Sequence, residues 1–314
     1  MDELLESLTK QTLKDFEVVI VEDGSIRPCK DVCDKYANIL DLHYYAKENS
    51  GPGQSRNYGA ERASGEWLII LDSDVVLPQG YLQAVNDSLQ YQQPAAWGGP
   101  DAAHPSFSPI QKAISYSMTS FFTTGGIRGG KAKLDKFYPR SFNMGIRRDV
   151  YLQLGGFSKM RFGEDIDFSY RIVEAGHMPR LFPDAWVWHK RRTDFRKFFR
   201  QVYNSGIARI NLEKRHPGTM KLVHLLPTAF TLGVIGLLLI TLFWPCACVP
   251  ILLYGIIICL DSSLKNRSLW IGLLSIPAAF VQLMGYGLGF IESWWKRCVL
   301  KQDEFTAFEK NFYK

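Results

Sequence analysis

Two aspartates one residue apart are the first candidates for chemistry in this sequence. Asp72 and Asp74 directly follow the apolar run 67–71, which is short and apolar enough to be a buried strand. Residues two apart in an extended chain point to the same side, so both carboxylates can face one divalent cation. Mg²⁺ and Mn²⁺ prefer oxygen ligands, and a diphosphate and water can complete the shell. Asp is also a common turn residue, so the position after a strand is what favours a metal site over a solvated turn.

Two further acidic pairs have the residue types for substrate binding and proton transfer. Glu22 and Asp23 end the apolar run 16–21 and can accept hydrogen bonds from a base or ribose, with a plain turn as the alternative. Glu164 and Asp165 lie in a polar stretch. An attacking hydroxyl needs a base for its proton, and neighbouring carboxylates in a desolvated cleft have raised proton affinity. The same pair suits the first turn of a helix, and both roles are compatible.

One arginine and one histidine complete the set of candidate residues. Arg56 follows Gly51-Pro52-Gly53 and is predicted in the first turn of a helix. Its fork of donors suits a base carbonyl or a phosphate, and a surface arginine is the alternative. His189 follows a predicted strand and precedes a basic run. A neutral imidazole could complete the metal shell, and the alternative is a structural or surface histidine.

These residues need a scaffold that brings them together, and the apolar patterning predicts one. Strands are predicted at 16–21, 42–46, 67–71 and 185–188, and helices at 28–38 and 55–63. This alternation predicts an α/β fold with a mostly parallel sheet sandwiched by helices. In such sheets ligands bind at the carboxyl ends of the strands, where the acidic pairs fall. The stretch 92–139 is rich in Gly, Pro and Ser and is predicted to be a substrate loop.

The last third of the chain has the composition of a membrane region. Three apolar runs follow one another: 225–243, 246–260 and 269–291. The first and third are long enough to cross a hydrocarbon core of about 30 Å, and the uncharged Trp244-Pro245 turn makes the first two a tight hairpin. Lys265 and Arg267 favour the cytoplasmic side. The third run could span, re-enter or lie at the interface, so two or three spans are predicted.

The net charge indicates what kind of partner the protein binds, and the cysteines indicate the redox state of its compartment. The net charge of +6 fits a juxtamembrane basic surface or a phosphate-bearing substrate better than nucleic acid. The six cysteines lack zinc-ligand spacing with histidines nearby, so a reducing, cytosolic setting is expected. Met1 leads into acidic residues, which does not indicate a cleavable signal peptide.

Five segments together resemble one known family. They are residues 18–25, residues 49–57, Leu71-Asp72-Ser73-Asp74, Leu154-Gly155-Gly156-Phe157, and Gly163-Glu164-Asp165-Ile166-Asp167-Phe168. In this order and spacing they resemble the family 2 glycosyltransferases, an inverting group with the GT-A fold. The resemblance covers residues 1 to about 210.

The resemblance implies roles for the candidate residues. Glu22 and Asp23 would face the nucleoside, and Arg56 the base or phosphates. Asp72 and Asp74 would bind ribose and metal, Mn²⁺ or Mg²⁺, and His189 would help bind metal or diphosphate. Asp165 would be the catalytic base, supported by Glu164. The reaction would be a single in-line displacement at the anomeric carbon, with inversion.

The expected organisation follows from the two regions. Residues 1–221 are predicted to form a GT-A-like catalytic domain, residues 222–295 the membrane region, and residues 296–314 a C-terminal tail. The expected partners are a nucleotide-sugar donor, a glycan or lipid-linked acceptor and membrane lipids, with no nucleic acid. The expected location is the cell membrane, multi-pass, with the catalytic domain facing the cytoplasm.

The sequence also departs from the family in two places, and two other functions compete. Members usually begin with a strand ahead of the helix that opens this sequence, and Glu22 replaces a more usual aspartate. The Gln-x-x-Arg-Trp motif of processive synthases does not follow Gln201, which favours transfer of a single sugar. A GT-A-fold protein with impaired catalysis that binds or scaffolds is one alternative. A nucleotidyltransferase, which also uses paired carboxylates and a metal, is the other.

Overall fold

The structure is a computed structural model, and it describes residues 1–124 and 137–307. The strands in these ranges are β1 Val18–Asp23, β2 Leu42–Lys47, β3 Trp67–Leu71, β4 Val75–Val76, β5 Ala96–Gly98, β6 Asp101–Ala102, β7 Asn143–Arg147, β8 Arg180–Leu181 and β9 Val187–His189. The α-helices are α1 Asp2–Thr9, α2 Lys30–Asp34, α3 Pro52–Arg62, α4 Tyr81–Gln92, α5 Pro109–Thr119, α6 Phe121–Thr124, α7 Arg148–Gln153, α8 Glu164–Glu174, α9 Phe195–Arg215, α10 Leu226–Thr241, α11 Val249–Asn266 and α12 Leu269–Trp294.

The chain forms two compact units. The described part of the first unit is residues 1–104 and 137–190, which hold every strand listed above and the helices α1–α4, α7 and α8. The described part of the second unit is residues 105–124 and 191–307, which hold the remaining helices. The predicted domain boundaries at residues 221 and 295 stay a prediction.

The first unit has the α/β architecture predicted from the sequence. β1 and β2 pair in parallel, β3, β7, β5 and β8 form a second sheet in that order, and β4, β9 and β6 form a third. The pairing is mixed and not mostly parallel, because β7 lies antiparallel to both of its neighbours, β3 and β5, and β4 lies antiparallel to β9. Parallel pairs remain at β1–β2, β5–β8 and β6–β9.

The stretch 92–139 is only partly a loop, so that prediction was wrong for much of it. β5 lies inside the four-stranded sheet, and Trp97 on it is completely buried and stacks on Phe182 with ring centres 5.0 Å apart. Its indole fills the space where Gly145 of β7 would carry a Cβ. Gly145, a few residues after this stretch, therefore serves close packing, a use that composition alone does not reveal. Residues 125–136 lie outside the described part of the chain.

In its described residues the second unit is built from helices, and three helical segments there are long and apolar enough to cross a membrane. These segments are Leu222–Thr241, Pro245–Asn266 and Leu269–Val299. The first two each begin with a 3₁₀ turn, and α11 runs past the predicted end of its apolar run to include Asp261 and Lys265, which form an ion pair at 2.8 Å. Ser268 caps the start of α12 by accepting a hydrogen bond from the backbone N–H of Ile271.

The packing of Trp97 on Gly145 gives a stability prediction. We expect Gly145→Ala to destabilise the protein by about 1–3 kcal/mol, because the new methyl group overlaps the indole in a close-packed core. Thermal unfolding of the purified protein in detergent measures this as a lower melting temperature. Gly80→Ala is the matched control, since a Cβ there meets nothing within 4 Å. Equal melting temperatures for the two variants would contradict the packing argument.

Candidate active site

The Asp72/Asp74 pair lies in the tight turn between β3 and β4. The backbone N–H of Val75 donates to the carbonyl of Asp72 at 3.2 Å and closes this turn. β4 pairs with β9 in a register that sets Val75 opposite His189, and His189 Nε2 lies 3.4 Å from Asp74 Oδ1. The imidazole ring is held by stacking on Phe142, with centroids 4.9 Å apart. Strand pairing thus brings together three residues that are far apart in sequence.

This group of three has the chemistry of a divalent metal site. One ligand atom from each of Asp72, Asp74 and His189 can be chosen so that all lie within 4.8 Å of one another. Two carboxylate oxygens and one imidazole nitrogen suit Mg²⁺ or Mn²⁺, with the nitrogen better suited to Mn²⁺. Three protein ligands leave further coordination positions for substrate oxygens or water. The residues fit the metal that the sequence predicts.

Arg56 joins the metal group to the acidic pair on α8. Its Nη2 donates to Asp72 Oδ1 and its Nη1 to Glu164 Oε1, both at 2.9 Å. The Arg56 side chain is 17% exposed, and its partners Glu164 and Asp72 are 10% and 33% exposed, so the pair with Glu164 is the better shielded from water. The guanidinium also lies 5.3 Å from the centre of the Phe157 ring. Arg56 therefore bridges two carboxylates that come from different elements.

The turn after α7 holds α3 and α8 in the positions that this bridge needs. Asn57 of α3 donates to the carbonyl of Phe157 at 2.9 Å and accepts from its N–H at 2.8 Å. Arg171 of α8 donates to the carbonyls of Leu154 and Gly156 at 2.7 and 2.6 Å. Gly156 has a φ of 61°, and a Cβ there would overlap the Asn57 amide. This explains the second glycine of the Leu-Gly-Gly-Phe turn.

Glu164 and Asp165 start α8 behind Gly163, whose φ of 86° a residue with a Cβ would rarely adopt. Each side chain is about 10% exposed. Burial and the neighbouring Asp165 carboxylate raise the pKa of Glu164 to about 7, although Arg56 opposes the shift. Burial also raises the pKa of Asp165, but Arg140, which donates from Nε at 2.6 Å, outweighs it and leaves that pKa below its usual value. The raised proton affinity expected of this pair thus belongs to Glu164.

Glu22 and Asp23 at the end of β1 are engaged by the loops beside them. Both oxygens of Asp23 accept from backbone, Oδ1 from Ser50 and Oδ2 from Gly51, each at 2.9 Å, and the ammonium group of Lys47 pairs with Oδ1. These contacts fix the start of α3. Burial raises the pKa of Asp23, but the hydrogen bonds from Lys47 and the backbone outweigh it and lower that pKa overall.

Glu22 points to a different neighbour. Its Oε2 accepts from the backbone N–H of Cys29 at 2.9 Å, at the start of α2. Burial raises the pKa of Glu22, yet the hydrogen bonds from Ser25 and Cys29 keep it below its usual value. Six of the predicted residues lie in one cluster: Asp72, Asp74, His189, Arg56, Glu164 and Asp165. Asp23 is connected to this cluster only through the start of α3, which it holds by hydrogen bonds. Glu22 faces α2.

Sequence reasoning missed two residues of this cluster. Arg140 contacts Asp165, and Phe157 lies against the Arg56 guanidinium. The Leu-Gly-Gly-Phe motif gave a signal for Phe157. Arg140 carries no such signal, since it follows a stretch that the sequence presents as a loop.

The described residues have the fold of the GT-A glycosyltransferases. A solved structure with a similar fold is that of the mannosyltransferase PcManGT from Pyrobaculum calidifontis, in complex with GDP-Man and Mn²⁺. It is 16% identical, the match covers 94% of this chain and 83% of that one, and the TM-score is 0.65. At that identity the likeness shows the fold alone.

Sequence comparison identifies the family of the N-terminal part of the chain. Residues 1–155, just under half of the chain, match the family described as glycosyl transferase family 2. A pre-mycofactocin glycosyltransferase of Mycobacterium tuberculosis is 26% identical over 228 residues, which are 66% of this chain and 44% of that protein. An uncharacterized glycosyltransferase of Haemophilus influenzae is 26% identical over 180 residues, 54% of this chain and 56% of that protein. The chain thus spans about half the length of these relatives.

The metal group gives a prediction that does not require turnover. We expect Asp74→Ala to weaken Mn²⁺ binding by at least about tenfold, because loss of even an outer partner of a metal ligand typically costs 10–100-fold. Electron paramagnetic resonance of free Mn²⁺, with and without a nucleoside diphosphate, measures this. Asp31→Ala on the exposed face of α2 is the control and should bind as the wild type does. Equal affinity in all three proteins would rule out this group as the metal site.

Proposed function

We propose that this protein transfers a sugar from a nucleotide-diphosphate sugar to a hydroxyl group of an acceptor close to a membrane. The observation that carries the proposal is the joining of the Asp72, Asp74 and His189 group to the Glu164–Asp165 pair through Arg56. Sugar transfer by a family 2 glycosyltransferase needs a group that stabilises the leaving diphosphate and a base that takes the acceptor proton. The metal-ligand group supplies the first. The carboxylate pair, in which the pKa of Glu164 is raised and that of Asp165 lowered, supplies the second.

The donor would bind over the carboxyl ends of β1 and β3. The diphosphate lies against the metal group, and the metal, when bound, neutralises the charge that builds on the departing diphosphate. Asp72 binds the ribose or metal and Asp74 the metal directly, with His189 beside them. Arg56, held between Asp72 and Glu164, presents positive charge to the phosphates or base, and Glu22 and Asp23 form the nucleoside wall. UDP is the default donor base, and the complex of PcManGT with GDP-Man keeps GDP in the test panel.

Asp165 would act as the base, supported by Glu164. The acceptor oxygen forms its bond to the anomeric carbon while the bond from that carbon to the diphosphate breaks, and the hydroxyl proton passes to the carboxylate. Arg140 keeps Asp165 ionised and fixes its orientation. Attack from the face opposite the leaving group inverts the anomeric centre, as the family resemblance implies.

The acceptor would be a lipid-linked saccharide or another glycan at the membrane, in glycan or polysaccharide synthesis. Apolar helices in the same chain support this, since they would keep the protein in contact with membrane lipids. The proposed location is the cell membrane, multi-pass, with the catalytic residues on the cytoplasmic face where nucleotide sugars are available. Transfer only to water-soluble acceptors would contradict this part of the proposal.

A donor panel tests the reaction itself. Purified protein is incubated with UDP- and GDP-sugars in Mn²⁺ or in EDTA, and released nucleoside diphosphate is measured. We expect metal-dependent release that Asp74→Ala abolishes and Asp165→Asn lowers by about 10²–10⁴-fold, the usual contribution of a general base. Asp31→Asn is the control and should keep wild-type activity.

Two results in that panel would overturn the proposal. Folded wild-type protein that binds a nucleotide sugar and releases nothing would point to the binding or scaffolding alternative. Release of pyrophosphate in place of nucleoside diphosphate would point to a nucleotidyltransferase.

The difference between the pKa values of Glu164 and Asp165 predicts how the reaction rate depends on pH. Because the pKa of Glu164 is about 7, its carboxylate is charged, and holds Arg56 fully, only above that pH. We expect kcat/KM to fall as the pH is lowered through about 7. In Glu164→Gln the remaining acid is Asp165, whose pKa is lowered, so the fall should move to lower pH while the maximal rate drops. Glu61→Gln on the exposed face of α3 should keep the wild-type profile. An acid limb that stays near pH 7 in Glu164→Gln would contradict the assignment.

A further inference from the structure

We infer that the second unit binds one anionic phospholipid in a groove between the ends of α9 and α12 and the start of α10. A hydrocarbon chain of the lipid lies in the groove, and its headgroup phosphate lies at Lys214 and Lys221. The groove has a volume of about 520 Å³, which is within the range of small-molecule sites in proteins. Its lining residues all belong to the second unit. This inference does not depend on the proposed reaction.

Two of the helices each line the groove with a single face. On α10 with its N-cap residue, and on α12 with the turn that follows it, the lining residues recur at i, i+3 and i+7, the spacing of one helix face. These residues are Leu225, Thr228, Leu232, Ile291, Trp294 and Cys298. Ile210 at the end of α9 and Met220 after it add to the apolar lining. The groove is therefore long and apolar, as a hydrocarbon chain requires.

The floor of the groove is formed where the three helices touch. Ser293 of α12 donates to the carbonyl of Ile207 of α9 at 3.2 Å. Gly287 of α12 packs so closely on α10 that a Cβ would overlap the carbonyl of Pro227. Phe290 lies between these contacts in sequence and is 6% exposed. Because these contacts hold the walls in place, the groove is preformed and needs little ordering to accept a chain.

The apolar end of the groove borders hydrocarbon. α10 belongs to the segment Leu222–Thr241, which is long and apolar enough to cross a membrane and of which only 11% is buried inside the protein. Leu225 and Leu232 are separated by about 10 Å along the helix, so the groove extends from the start of this segment into its apolar part. Leu232 is 57% exposed, and the neighbouring Ile235 is 39% exposed. The groove thus continues the surface that faces lipid, and a lipid chain is the occupant that this surface favours.

The other end of the groove carries positive charge. Lys214 lines it, and Lys221 directly follows Met220 in the lining. Neither lysine pairs with a carboxylate in the part of the chain that the structure describes. Glu213 also lines this end, but its carboxylate accepts from the backbone N–H groups of Gly218 and Met220 at 2.9 and 2.6 Å. Two lysines against one engaged carboxylate leave this end complementary to a lipid phosphate.

The register of α12 places an aromatic side chain at the charged end. α12 runs antiparallel to α10, because Thr231 lies next to Leu283 and Pro227 next to Gly287. Trp294 is seven residues past Gly287, so it lies at the start of α10, and it is 48% exposed. Tryptophan is enriched where headgroups meet hydrocarbon. The groove therefore changes from basic to aromatic to apolar along its length, which matches the headgroup, interface and chain of a phospholipid.

Photocrosslinking in a defined bilayer tests the inference. Full-length protein is reconstituted in phosphatidylcholine vesicles that contain a small fraction of phosphatidylglycerol with a diazirine in its acyl chain. A parallel sample contains the same fraction of diazirine-labelled phosphatidylcholine. After irradiation, labelled peptides are quantified by mass spectrometry. We expect the anionic probe to label residues 220–232 and 291–298 more than the zwitterionic probe does. Both probes should label Leu252 and Leu253, which are exposed on α11, to the same extent.

Loss of the two lysines should remove this preference. We expect Lys214→Gln combined with Lys221→Gln to lower labelling of the groove by the anionic probe at least about fivefold, since each lysine near an anionic headgroup contributes about that factor. Labelling of α11 should stay as in the wild type, which also shows that the variant is folded and inserted. Arg267→Gln is the control, because Arg267 is an exposed basic residue at the end of α11, outside the groove.

A second pair of variants tests the groove without changing its charge. Leu232→Trp should lower labelling of the groove by both probes, because the larger side chain takes up space at its apolar end. Leu239→Trp is the matched control, since Leu239 lies two turns farther along α10, is 59% exposed and does not line the groove.

Three results would overturn the inference. Equal labelling of the groove by the two probes, or labelling that survives loss of both lysines, would mean contact with bulk lipid only. Absence of lipid labelling together with a crosslink between two protein chains at residues 291–298 would mean that a second copy covers the groove. Absence of both would mean that no lipid chain enters it.

Discussion

The geometry of the candidate site depends on the Arg56 guanidinium between Asp72 and Glu164. One planar group satisfies a carboxylate at the end of β3 and another at the start of α8, and it is mostly shielded from water while doing so. Removing Arg56 would take the shared counter-charge from both carboxylates, which costs far more than a surface ion pair returns. Lysine has a single charged atom and could not reach both partners with the same fixed geometry. The metal group and the acidic pair are neighbours because this bridge holds them.

The two acidic residues on α8 differ in proton affinity because they have different neighbours. Burial and the charge of Asp165 raise the pKa of Glu164, and Arg56, which Glu164 shares with Asp72, offsets only part of this rise. Asp165 has Arg140 and stays ionised. A pair of carboxylates whose environments push their proton affinities apart can hold one proton and keep one negative charge near neutral pH. Such a pair can receive a proton from an attacking hydroxyl without a large rearrangement of charge.

Glycines allow close packing in both units, because they have no Cβ atom. Gly145 makes room for the Trp97 indole in the sheet, and Gly206 and Gly289 let the backbones of α9 and α12 touch. A methyl group at any of these positions would meet another atom inside van der Waals distance. In the second unit, this close contact packs the apolar helix α12 against α9, which carries charged residues near both of its ends.

The sequence by itself determined the local parts of this protein. Apolar runs predicted the strands β1 to β3 and the apolar helices α10 and α11, because burial imposes a pattern on consecutive residues. Residue types and their positions beside predicted elements predicted six of the cluster's residues, and the motifs that contain five of them carry the family resemblance. Only the tertiary structure decided what depends on contacts between distant residues. The antiparallel insertion of β7, the pairing of Arg140 with Asp165 and the assignment of the raised pKa to Glu164 are of this kind. The packing of α12 is another, since hydropathy measures how apolar a helix is, whereas its contacts with α9, α10 and α11 decide how much of its surface the protein itself covers.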